Sequence, residues 1–142
     1  MIPIASDHAG FELKQLIISI FSDFNWKDEG CFSLESIDYP DFAHKVAVYI
    51  ANHPEEKGVL ICGSGNGMQI TANKHPNVRA ALCWSKEIAI LARAHNDANI
   101  LTLPARFISQ EEAINIVTAF FETPFEGGRH AHRVRKINIT FS

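Results

Sequence analysis

The chain has 142 residues, 46% of them apolar and 20% charged, with a formal net charge of −3. That length and composition fit one globular domain with a real core, and the charge excludes a general polyanion binder, so neither nucleic acid nor an anionic membrane is an expected partner. No apolar run reaches the roughly 20 residues of a membrane span, MIPIASDHAG lacks the pattern of a secretory leader, and three cysteines without a C-x-x-C point to free thiols in the cytoplasm.

Ile2-Pro3-Ile4-Ala5 predicts a first strand, closed by Ser6-Asp7-His8-Ala9-Gly10. Leu13, Leu16, Ile17, Ile20, Phe21 and Phe24 recur at helical spacing and predict an amphipathic helix over about 11–24. Trp26 to Gly30 reads as a weak strand, suited only to a sheet edge. Asp38-Tyr39-Pro40-Asp41 is a turn, with Asp41 as N-cap of a helix that buries Phe42, Val46, Tyr49 and Ile50 and ends near Asn52-His53-Pro54.

Val59-Leu60-Ile61-Cys62 is a short buried strand that breaks into Gly63-Ser64-Gly65-Asn66-Gly67, with a helix from Met68. Val78 to Trp84 predicts a second buried strand, and Ser85 caps a helix carrying Ile88, Leu91 and Ala92. Asn99 to Leu103 is a further strand, stopped by Pro104. Ser109 to Glu112 forms a capping box for a helix marked by Ile114, Val117, Phe120 and Phe121. Thr123-Pro124 and Gly127-Gly128 then separate off a basic helix, Arg129 to Lys136. Repeats, low-complexity tracts and linkers are absent from the sequence.

Strands alternating with helices, the inner strands apolar on both faces, predict an α/β fold. The expected form is a three-layer α/β/α sandwich around a Rossmann-like, five-stranded parallel sheet of order 2-1-3-4-5, in a single domain over residues 1–142. Ligands in such sheets bind beyond the carboxyl ends of the strands at the switch in order. The first and third strands would meet there, so Asp7-His8 and Cys62 to Gly67 should face one crevice.

The glycine loop has neither the G-x-G-x-x-G spacing of a dinucleotide site nor the lysine of a P-loop. Alone it is as compatible with a tight strand-to-helix turn as with a ligand site. The company of Cys62 and Ser64 raises the odds of a ligand site. A lone cysteine is more often a small buried hydrophobe, but a thiol beside a helix N-terminus ionises more readily and can serve as a base. Asp7-His8 is either a capped turn or a pair for hydroxyls and anions, and His95-Asn96-Asp97 either a C-cap cluster or site residues. Arg129 and Arg133 stand one helical turn apart, with Lys136 on the same face; this is a solvated basic face or a phosphate clamp, because planar guanidinium forks bind oxyanions bidentately. His130 and His132 form H-x-H, but spacing supplies no third ligand, so no metal is expected. Taken together, the set suits proton abstraction beside a carbonyl in a phosphorylated small molecule.

Five stretches in order, SDHAGFELK, DYPDFA, ICGSGNGMQITANK, HNDANIL and EGGRHAHRV, cover nearly the whole chain. Together they resemble ribose-5-phosphate isomerase of type B, a branch of the sugar-phosphate isomerase family that includes galactose-6-phosphate isomerase subunits. The resemblance implies interconversion of D-ribose 5-phosphate and D-ribulose 5-phosphate through an enediolate, without metal or organic cofactor. It implies Cys62 as the base; a second subgroup uses a glutamate where this chain has Met68, which cannot take a proton. Backbone N–H groups of Gly63, Ser64, Gly65, Asn66 and Gly67 would hold the oxyanion, with the Ser64 side chain assisting.

The resemblance also implies His95 as the ring-opening acid, Asp7 at the ring oxygen or a hydroxyl, and Asn96 at the sugar hydroxyls. It places Tyr39 among the substrate-binding residues and assigns phosphate to His8, Arg106, Arg129 and Arg133. His95 should precede the last strand, at the sheet edge opposite the Cys62 loop, so the site is expected between subunits of a homodimer or dimer of dimers. The departures are an early start, Pro3 in the first strand and the polar stretch from Trp26 to Glu29, which bear on the edge strand and not on the site. Three other readings remain beside it: a six-carbon substrate such as allose or galactose 6-phosphate, a non-catalytic phosphometabolite-binding module, and a redox thiol protein with Cys83 as resolving partner.

Overall fold

Val59-Leu60-Ile61-Cys62 and Ile100-Leu101-Thr102-Leu103 have no polar alternation, and each lies in a strand buried along its whole length. The computed structural model describes residues 1–138. Strands β1 (Ile2–Ser6), β2 (Trp26–Asp28), β3 (Gly58–Cys62), β4 (Ala80–Leu82) and β5 (Ile100–Pro104) form one parallel sheet. Helices α1 (Phe11–Ile20), α2 (Tyr39–Ala51), α3 (Asn66–Ala72), α4 (Lys86–Ala94), α5 (Gln110–Glu122) and α6 (Arg129–Ile137) alternate with the strands and close the chain.

Successive residues of a strand point to opposite faces, and β3 divides its side chains accordingly. Val59 and Ile61 pack with Leu13 and Ile17 of α1, Ala89 of α4 and Ile116 and Phe120 of α5. Leu60 and Cys62 pack on the other face with Val46 and Ile50 of α2 and Met68 of α3. The α/β/α sandwich is as expected, and Cys62 belongs to its α2–α3 side.

The strand order is 2-1-3-5-4 rather than 2-1-3-4-5. The segment read as a long buried strand from Val78 to Trp84 shortens to three residues, two of them half-buried, and takes the edge. β5 is wholly buried and takes the inner place beside β3, where both its faces are covered. β2 is the opposite edge, as its composition predicted.

Helix limits moved for local reasons. α1 ends at Ile20 instead of near residue 24. Beyond it, Phe24 packs against Trp26 and Phe121, with centroids 5.6 and 5.1 Å away. α2 starts at Tyr39 with Asp38 as N-cap, not Asp41, because Pro40 suits the first turn, where no N–H bond is lost. α3 begins at Asn66, two residues before Met68. Ser85 and Ser109 cap α4 and α5 as read from sequence, each accepting from a backbone N–H three residues on.

Candidate active site

The carboxyl ends of β1, β3 and β5 deliver three side chains to one crevice. Asp7 follows β1 and its N–H donates to Ile61 O at 3.1 Å, while its Oδ1 accepts from Gly10 N–H at 3.0 Å. Past β5, the N–H groups of Ala105 and Arg106 donate to Cys62 O and Gly63 O at 2.9 and 3.0 Å. This laces the β5 exit to the glycine loop and sets Arg106 over it. Asp7, Tyr39, Cys62, Gly63, Ser64, Gly67, Arg106 and Phe107 line a cavity of about 420 Å³. That volume falls among small-molecule sites.

Cys62 is buried, and its Sγ accepts from Gly65 N–H at 3.2 Å. The bond requires Gly65 to turn back toward the strand, which it does at φ +80°, in the left-handed region that favours glycine. A Cβ there would collide with Leu82 Cδ1. Ser64 Oγ accepts from Asn66 N–H at 3.2 Å, so the hydroxyl is tied to the loop. Two of the loop N–H groups expected to hold an oxyanion are therefore engaged, one of them on the sulfur. At Gly67 a Cβ would overlap the Tyr39 ring, so the glycine is what lets Tyr39 close the cavity wall. Met68 is fully buried in the α2–α3 core and presents no polar group to the site. His8 is half-buried, and its Nδ1 has no hydrogen-bond partner among the described residues.

The remaining expected residues sit at the other end of the sheet. His95 is the C-cap of α4 and precedes β5, whose first residue, Ile100, pairs with Gly58 at the start of β3. Cys62 pairs with Pro104 at the far end of the same ladder, so strand length alone separates the two ends by about 13 Å. The separation runs along the strands, and not across to a sheet edge as the assumed order implied, because β5 is an inner strand.

Around His95 a second cluster forms. Its ring stacks on that of His130, with centroids 4.2 Å apart and planes 10° from parallel. Glu126 Oε1 lies 3.8 Å from His95 Nε2 and 3.5 Å from His130 Nε2. The Glu126 N–H donates to Ala94 O at 3.0 Å, which ties the start of this segment to the end of α4. Burial pushes the His130 imidazole below its ordinary range, and His95, Arg129 and Arg133 oppose a further positive charge there while Glu126 favours one. Asn96, Arg129, His132 and Arg133 are exposed.

His95, Glu126 and His130 bring three metal-ligating atoms within 4.8 Å of one another. The near-parallel rings hold their nitrogen lone pairs in separate planes, so the two imidazoles do not converge on one ion in this arrangement. Sequence spacing paired His130 with His132 and missed Glu126. The signal was present in EGGRH, where Glu126 precedes the helix by three residues.

Cys83 packs with the α1–α4–α5 layer, on the sheet face away from Cys62, and burial pushes its thiol up to about 12. It is no resolving partner, which removes the redox-thiol reading.

Residues 2–137 match the family described as Ribose/Galactose Isomerase. The ribose-5-phosphate isomerase B of Escherichia coli strain K12 is 40% identical over 138 residues, covering 96% of this chain and 93% of that protein. A crystal structure of a ribose 5-phosphate isomerase from Thermotoga maritima is 50% identical, with a TM-score of 0.93 and 96% of each chain covered. That of ribose-5-phosphate isomerase B from Mycoplasma genitalium, with bound ribulose-5-phosphate, is 44% identical with a TM-score of 0.93, covering 96% of this chain and 92% of that one.

The chain belongs to the ribose/galactose isomerase family. It is an isomerase, which sets aside the non-catalytic binding module. The isomerase gathers Asp7, Tyr39, Cys62, Gly63, Ser64, Gly67 and Arg106 around one cavity, with Gly65 and Asn66 in the same loop. It holds His95, Asn96, Arg129 and Arg133 at the opposite end of the sheet. Among its described residues, no helix is long and apolar enough to cross a membrane.

Proposed function

We propose that this isomerase interconverts D-ribose 5-phosphate and D-ribulose 5-phosphate, with Cys62 as the base. The observation that carries the reading is the Gly65 N–H aimed at Cys62 Sγ in the floor of a cavity that also holds Asp7 and Arg106. A thiolate base needs a donor of this kind. The Cys62 thiolate takes the C2 proton of the open-chain aldose, and the electron pair forms the C1–C2 enediolate with charge on O1. Return of that proton to C1, with transfer of the O2 proton to O1, gives the ketose. Loop N–H groups and Ser64 stabilise the developing oxyanion. No metal or organic cofactor enters these steps.

Ribose 5-phosphate is mostly cyclic, so the ring must open first. His95 gives a proton to the ring oxygen as the C1–O bond breaks; the anomeric oxygen forms the carbonyl and passes its own proton to water. Asp7 contacts the ring oxygen or a hydroxyl, Tyr39 and Asn96 bind the sugar, and His8, Arg106, Arg129 and Arg133 take the phosphate.

One chain holds these groups at two ends of its sheet, so the complete site forms between subunits of a homodimer or dimer of dimers. A groove of about 580 Å³ over the edge strand β4 supports this, since Trp84, Leu91 and Ile137 there are exposed apolar residues beside Asn96. A second copy seated on it would meet the His95 end of the first. Turnover of ribose 5-phosphate compared with allose and galactose 6-phosphates, as kcat/KM, tests the substrate. A higher value for a six-carbon sugar would replace the pentose reading.

A further inference from the structure

His95 ends a helix and is 39% exposed at its side chain, so its own backbone does little to fix the ring. Two neighbours do. His130, 11% exposed at its side chain, offers a flat, packed face against which the His95 ring lies. Glu126 places a carboxylate oxygen 3.8 Å from His95 Nε2 and is itself anchored through its N–H on Ala94 O, one residue from His95. All three belong to the junction between α4, the Gly127-Gly128 turn and α6.

We propose that Glu126 and His130 are positioning residues for ring opening: the carboxylate orients Nε2–H of His95, and the stacked ring fixes its plane, leaving Nδ1 to exchange a proton with the sugar. A partner on one imidazole nitrogen decides the role of the other. The proposal rests on the reading of His95 as ring-opening acid. Two observations favour positioning over a structural ion pair. Glu126 is 58% exposed, so its contact with the rings adds little to stability, and among the described residues it pairs with these two histidines and with no lysine or arginine. Burial and the nearby His95, Arg129 and Arg133 lower the His130 imidazole from its ordinary range, which disfavours a competing positive charge beside His95.

The acyclic nature of ribulose 5-phosphate, whose O5 is esterified, makes the role separable from the isomerisation step. In Glu126→Gln, kcat from ribose 5-phosphate should fall about tenfold to a hundredfold, the scale of a misplaced catalytic group, with KM little changed. Exchange of the ribulose 5-phosphate C1 proton with solvent deuterium should persist, and Glu126→Asp should recover part of the lost kcat. His130→Phe keeps the stacked face and should retain more forward turnover than His130→Ala. In a His95→Asn background, Glu126→Gln should cost nothing further, because its effect passes through His95. Equal loss of turnover and exchange, or an equal cost in both backgrounds, would overturn the proposal in favour of a structural role. Full forward turnover in Glu126→Gln would overturn it alone. A wild-type protein that exchanges the C1 proton yet is unaffected by His95→Asn would instead strike the reading of His95 on which it rests.

Discussion

Gly65 N–H donates to Cys62 Sγ at 3.2 Å, across a loop whose left-handed residue is the donor itself. The strand positions the sulfur, and the turn that ends the strand supplies its hydrogen bond. Replacing Cys62 by Ala removes the base while leaving the cavity. The C2 proton of ribose 5-phosphate should cease to exchange with solvent, and kcat should drop by about a hundredfold or more, the usual contribution of a positioned base. Phosphate binding should survive, as read by displacement of a competing sugar phosphate. Retained exchange would refute the assignment of Cys62.

Gly65→Ala tests the same relationship from the other side. A side chain at φ +80° costs about 1–2 kcal/mol from the backbone alone, and the Cβ would also press on Leu82. The variant should unfold at lower urea and lose activity beyond what its folded fraction explains. Gly127→Ala has no atom within 4 Å of the new Cβ, so its cost should be confined to the positive φ.

Lys14 is fully buried, and its Nζ donates to Asp28 Oδ1 at 2.6 Å and to Cys31 O at 2.7 Å. It joins α1 to β2 and to the segment that follows β2. Removing one partner of such a pair leaves the other uncompensated, at about 3 kcal/mol or more. Lys14→Ala should therefore lower the unfolding midpoint sharply, and Lys14→Met with Asp28→Asn should recover part of it. Both measurements are made by urea titration.

The capping box of α5 makes a pH-dependent contribution. Ser109 N–H donates to Glu112 Oε1 at 2.9 Å, and this bond, with the Ser109 hydroxyl, holds the Glu112 carboxyl below its usual range. The contribution is present above the unfolded carboxyl range and is lost as pH falls through the folded value. Glu112→Gln should thus be less stable than wild type near neutrality, with the gap closing in acid. Ser109→Ala should cost about 1 kcal/mol at neutral pH. Unfolding midpoints across the acid range check both.

His95 and Cys62 at opposite ends of β3 and β5 make a shared site testable by mixing. Cys62→Ala and His95→Asn proteins, each inactive in ring opening or proton transfer, are denatured together and refolded. If each site takes Cys62 from one subunit and His95 from the other, half the dimers are mixed and each has one intact site, giving about a quarter of wild-type turnover. No recovery would place both groups within one chain.

Much was legible in the sequence because it depended on local rules. The apolar runs at Val59 and Ile100, the helical spacing of Leu13 and Ile17, and the caps Ser85 and Ser109 each specify an element from its own residues. The Cys62 loop was legible too, since a strand leading into glycines at the start of a helix defines its own geometry. Other features had to be decided in three dimensions. Val78 to Trp84 looked like an inner strand by composition, yet competition for the place beside β3 went to β5, whose residues bury completely while those of β4 do not. That exchange brought His95 from the sheet edge to the start of an inner strand, so its separation from Cys62 runs along the strands. The contact of Glu126 and His130 with His95 joins residues 31 and 35 positions apart, and no periodicity records such a distance. Sequence alone determined the elements and the chemistry of the loop, because both arise from neighbours in the chain. The tertiary structure decided which chemical groups meet, because meeting depends on strand order and on helix ends packed across it.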